Sequence, residues 1–149
     1  MSTTASPVSA AEAADARRFL LEHSSLGPVL TQFGWQLAPE TLTPFARWCP
    51  MRDGSFDTRF YLADLGTGAV DIAVDATENT RLFWISAADA LTQADQGDIS
   101  IIFPTRRNLE RLAQFASFAR AQDHARAIPI AIISPKLQTR DDGDWLTIP

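Results

Sequence analysis

The sequence predicts a mixed α/β domain of the α+β kind, a mixed β-sheet flanked by helices. Three observations predict it. Apolar residues recur at helical spacing near the N-terminus and again from residue 87 to about 120. Short apolar or alternating runs bounded by Gly and Pro occupy residues 41–86 and 128–149. The order is helices, strands, helices, strands, so a meander sits at the centre in place of a regular βαβ alternation. At 149 residues the chain is long enough for one domain to bury a core without disulfides.

Each element has its own local reason. Residues 1–8 are small and polar and are expected to be disordered. Ser9 stands three before Glu12, the spacing of a capping box, and a helix follows over Ala10 to His23. Its apolar stripe is Ala13, Ala16, Phe19 and Leu20. A short second helix, Pro28 to Phe33, ends at Gly34. "TLTPFARWCP" (41–50) reads as the first strand, "SFDTRFYLADL" (55–65) as the second, "AVDIAVD" (69–75) as the third and "TRLFWIS" (80–86) as the fourth. Ser86, with Asp89 three further on, caps a helix that stops at Gly97. "ISIIFP" reads equally as a strand or as an extended arm. A long helix is expected from Thr105 to about Arg120, with Leu109, Leu112, Ala113, Ala116 and Ala119 on one face. "IPIAIIS" (128–134) reads as a strong strand and "DWLTIP" (144–149) as an edge strand. The expected organisation is one domain over 9–149, with a helical segment at 9–34 and the sheet with its flanking helices at 42–149.

The totals exclude several classes. A net charge of −5 argues against nucleic acid as a partner. The single cysteine, Cys49, excludes an internal disulfide framework and a cysteine-based zinc site. No apolar run approaches the roughly 20 residues of a membrane-spanning helix. The N-terminus has neither the basic region nor the apolar core of a signal peptide. The expectation is a cytoplasmic protein with no membrane partner. Neither Gly-rich phosphate loop, GxGxxG or GxxxxGK[ST], is present.

The candidate site lies on the second strand. Asp57, Arg59 and Tyr61 are two apart and share a strand face, while Phe56, Thr58 and Phe60 take the other. An arginine there suits a phosphate through a forked pair of hydrogen bonds. The plainer alternative is a solvated ion pair of little energetic weight. Glu78, at a turn into a strand, is a candidate ligand for a hard cation or an ordinary turn acid. His23 and His124 read as surface histidines, Cys49 as a small buried hydrophobe, and "RDDGDW" as a turn.

Four motifs in order carry a resemblance: "LTPFARW", "FDTRFYLA", "DATENTRLFWISAADAL" and "IIFPTRRNLERLAQFASF". The series resembles the C-terminal half of Nudix hydrolases, in the branch related to coenzyme A diphosphatases. It spans roughly residues 17–149. The resemblance implies a Nudix-like mixed sheet that is incomplete at its N-terminus. It also implies that Asp57, Arg59 and Tyr61 lie near a cleft for a nucleotide or an acyl-coenzyme A.

The chain departs from the family where catalysis resides. Nudix hydrolases hold magnesium or manganese on the glutamates of G-x5-E-x7-R-E-U-x-E-E-x-G-U, with U aliphatic, and no such segment occurs in these 149 residues. Cys49 precedes Pro50 where the family tends to have Thr, and Gly54-Ser55 stand where a basic pair is usual. The resemblance therefore implies a domain inactive alone, with no cofactor in the chain as it stands. One alternative is an active hydrolase, its magnesium or manganese site completed by a longer reading frame or a partner chain. Another is a non-catalytic nucleotide-binding or protein-interaction module. An incomplete sheet would leave an open edge, so self-association through that edge, or docking of residues 10–33 over it, is also expected.

Overall fold

Ser9 starts the first helix as its spacing predicts. In the computed structural model, which describes residues 8–50, 54–66 and 82–148, the Ser9 Oγ accepts from the Glu12 N–H at 3.2 Å and the Glu12 carboxylate accepts from the Ser9 N–H at 2.9 Å. Two N–H groups that helix geometry leaves open are thereby satisfied. The helix α1 runs Ala10–His23, and α2 runs Leu26–Phe33 to a left-handed Gly34 at φ 65°. α2 begins two residues before the expected start. Pro28 then falls in its first turn, where its missing N–H has no intrahelical acceptor to lose. Phe19 of α1 meets Phe33 of α2 edge-on, and Trp35 continues the aromatic contact beyond α2. The described residues up to Pro39 form one compact unit, and those from Glu40 onward form another.

The second unit contains all the strands found among the described residues. β1 (Leu42–Trp48) is central in a three-stranded sheet, antiparallel to β2 (Thr58–Ala63) and parallel to β3 (Ile132–Ile133). β3 pairs with Arg47 and Trp48, so among the described residues the Pro44 end of β1 has a ladder partner on one side only. A proline is tolerated there because no N–H is needed on the open side. Immediately after it the register slips: Pro44 faces Tyr61, Ala46 faces Phe60, and Phe45 is left over as a bulge. The slip changes the phase of burial. Thr43 and Phe45 are buried before it, Ala46 and Trp48 after it. Two successive residues, Phe45 and Ala46, thus enter one core with Trp48 and Ala125, flanked by Phe60, Leu62 and Leu112.

The helices are α3 (Ala87–Gln96), α4 (Phe103–Leu112) and α5 (Phe118–Ala127). The Ser86 cap and the Gly97 stop of α3 match the sequence reading. Of the "ISIIFP" stretch, residues 100–102 form no strand and lead into α4, which takes Phe103 and Pro104 as its first two residues, and proline is favoured in that first turn. The single helix expected from Thr105 to Arg120 is instead two helices. Ser117 caps the second, its Oγ accepting from the Arg120 N–H at 3.3 Å, and this cap competes with helix continuation. Ala113, Ala116 and Ala119 are exposed accordingly. The face of α4 that turns inward carries Asn108, which is buried, and Leu112.

Two polar contacts fasten α4 and α5 to β1. The buried Trp48 Nε1 donates to Asn108 Oδ1 at 3.2 Å, and Gln122 Nε2 donates to the buried Thr43 Oγ1 at 2.9 Å. Arg111 adds a third. Its Nη1 donates at 2.6 Å to the carbonyl of the bulged Phe45, and its guanidinium lies 4.1 Å from that ring. Burial holds the Arg111 pKa below its ordinary value.

The C-terminal reading is corrected in two places. Of "IPIAIIS", only Ile132 and Ile133 form a strand; Pro129 has no N–H for a ladder, and Ile128, Ile130 and Ile132 are exposed. The expected edge strand exists as β5 (Gly143–Thr147), but its partner is β4 (Lys136–Arg140), and the two form a separate hairpin. "RDDGDW" supplies its turn, with Gly143 at φ 128°. Residues 82–86, the described part of the expected fourth strand, form no strand. Residues 1–7, the expected third strand at 69–75, Glu78 and the start of the fourth strand lie outside the described residues. The class is α+β. Among the described residues no helix is long and apolar enough to cross a membrane.

Candidate functional site

The β1–β2 pairing sets Arg47 directly opposite Arg59. Like charges at facing positions repel, and Asp57, the residue before β2, relieves the repulsion. Arg47 grips it side-on: Nε donates to Oδ1 and Nη2 to Oδ2, both at 2.8 Å. Arg59 Nη2 reaches the same Oδ2 at 3.4 Å, a longer and weaker contact. The Arg47 hydrogen bonds, more than any other influence, hold the Asp57 carboxyl below its usual range, and Asp57 in turn raises the Arg47 guanidinium. Two cations and one anion leave a net positive charge on this part of the strand pair.

That charge lines a cleft of about 380 Å³ formed with Pro44, Ala46, Tyr61 and Ile130. The Arg59 side chain is 58% exposed, against 34% for Arg47. Arg47 is committed to Asp57, while Arg59 is loosely held and has N–H groups to offer. The arrangement is chemically suited to an anion that takes the Arg59 fork, on a floor of tyrosine and aliphatic surface.

The structure brings together Asp57, Arg59 and, in the cleft wall, Tyr61, as their spacing predicts. Asp57 itself lies just outside the strand and reaches the cleft through its bonds to Arg47 and Arg59. The other face is corrected. Phe60 packs against the core, but Phe56, two residues before β2 begins, is 83% exposed. The sequence reading missed Arg47. The "LTPFARW" run displays it, but its position opposite Arg59 depends on the bulge at Phe45, which period-2 counting does not register. Cys49 is half-buried; its N–H donates to the Ile133 carbonyl and its own carbonyl accepts from Ser134. Neither His23 nor His124 is among the residues lining the cleft; His23 stacks on Phe19, and His124 lies tilted against Phe115.

A divalent cation does not fit these residues. Asp57 is engaged on both oxygens by guanidinium groups, and no group of three or more His, Cys, Asp or Glu that could hold a metal occurs among the described residues. No family model, curated protein or solved structure matches the chain.

Proposed function

We propose that the chain is a Nudix-like domain that binds a phosphate-bearing ligand, a nucleoside diphosphate or a coenzyme A derivative, without hydrolysing it. The observation that carries the binding reading is the convergence of Arg47 and Arg59 on one carboxylate beside an open cleft. Asp57 fixes Arg47 and leaves Arg59 half-free, so an incoming phosphate exchanges a weak 3.4 Å contact for a forked one. Tyr61, Pro44 and Ile130 offer the apolar surface that the organic part of such a ligand requires. The reading without hydrolysis rests on the sequence, which has no Nudix signature in these 149 residues.

The test is calorimetric titration with pyrophosphate, ADP and coenzyme A at one ionic strength, beside a diphosphatase assay with magnesium and with manganese. Saturable binding is expected, weakened about tenfold in Arg59→Ala, as for loss of a hydrogen bond to a charged group. No turnover is expected with either metal. Equal affinities in wild type and variant, or no binding by either, overturn the binding reading. Chelator-sensitive turnover overturns the non-catalytic one and favours a hydrolase.

A further inference from the structure

A second cleft, of about 730 Å³, opens between the start of α4 and the β4–β5 hairpin. Its size is that of a small-molecule site. Pro50, Phe103, Pro104, Pro135, Leu137 and Leu146 make most of its wall. Leu137 and Leu146 are cross-strand partners in the hairpin, so both come from one position along it. Leu137 is 64% exposed, more than a leucine needs to be in a chain with a core at hand.

The polar groups on the wall are two, and they differ. Ser134 donates its hydroxyl proton to the Cys49 carbonyl at 2.7 Å and has only lone pairs left to offer. Lys136 is the one lysine in the chain, and no carboxylate pairs with it among the described residues. Among the described residues the cleft thus presents a broad apolar wall and one cation, Lys136, with no carboxylate paired to it. Three of its residues are prolines, which have no N–H for an extended peptide to pair with. That chemistry disfavours a peptide strand and suits a compact amphiphile.

From these residues we infer that this cleft binds a small apolar monoanion, a medium-chain carboxylate in its simplest form, with its chain on Leu137, Leu146 and Phe103 and its charge on Lys136. The site is separate from the Arg47–Asp57–Arg59 cleft, with no residue in common.

Decanoate, decanol and decylammonium share a chain and differ in charge. Each is titrated calorimetrically into the full chain and into Lys136→Gln, Lys136→Arg, Leu137→Gln and Arg59→Ala. Decanoate is expected to bind one to one and more tightly than either analogue. Lys136→Gln should lower its affinity about tenfold, as for loss of a charge-assisted hydrogen bond, and Lys136→Arg should restore most of it. Both Lys136 and Leu137 are exposed, so these variants test the site without emptying the core. Arg59→Ala should leave decanoate binding unchanged, which separates this site from the phosphate cleft. No decanoate binding, equal binding of decanol, or indifference to both Lys136→Gln and Leu137→Gln overturns the inference.

Discussion

Arg47 and Arg59 face each other as Cα partners across the β1–β2 pair, and Asp57 is bonded to both. That carboxylate offsets the repulsion between the two guanidinium groups. Asp57→Asn removes the charge and keeps the shape. The variant should be less stable than wild type at low salt, and the gap should narrow as salt screens the arginines. It should also bind pyrophosphate more tightly, since Arg59 loses its competitor. Denaturant midpoints at two ionic strengths, with a parallel titration, check both. A gap that does not respond to salt would show that the repulsion is not what Asp57 relieves.

Trp48 and Asn108 make the second prediction. Asn108 is buried, and its Oδ1 is the acceptor for the Trp48 indole. Asn108→Ala leaves that N–H without a partner in the core and should cost about 1–3 kcal/mol. Trp48→Phe removes the donor instead. In the double variant the orphaned indole is gone, so the loss should be less than the sum of the two singles. Additive losses in a denaturation cycle would show that the indole and amide are not coupled.

The bulge at Phe45 supplies the third. Phe45 is 2% exposed, and its carbonyl, displaced from regular pairing, accepts from Arg111. Phe45→Ala should cost about 3–5 kcal/mol, the usual range for emptying a core aromatic site. Arg111→Ala should cost less, because it removes one hydrogen bond and one ring contact but opens no comparable cavity. The reverse order of midpoints would place the main support of α4 on the guanidinium.

How much of this was legible depended on whether the cause was local. Ser9, Gly34, Ser86 and Gly97 mark helix ends through contacts three or four residues away, and those ends lie where the sequence places them. The break at Ser117 was hidden because an alanine-rich stretch keeps helical periodicity on either side of it. β4 was missed because "KLQTR" has one large apolar residue, and what makes it a strand is β5 across the turn. At the site, Asp57, Arg59 and Tyr61 followed from spacing along one strand. Arg47 did not, because it enters through a register set by Pro44 and the bulge.

Acid titration provides the last prediction. Asp57 is held below the ordinary carboxylate range, chiefly by its hydrogen bonds with Arg47. The unfolded chain therefore takes up the Asp57 proton more readily than the folded one. Its contribution is complete above the ordinary, unfolded pKa and is lost as pH falls through the depressed, folded value. The stability difference between wild type and Asp57→Asn should be flat near neutrality and shrink in acid. Glu12 is shifted the same way, by the Ser9 hydroxyl first and its backbone N–H second. Asp57→Asn should consequently keep part of the acid loss, and Glu12→Gln should keep the part that belongs to Asp57. Denaturant unfolding of the three proteins across an acid series separates the two carboxylates. An Asp57→Asn difference that persists unchanged into acid would show that the carboxylate is not more acidic in the folded chain than in the unfolded one.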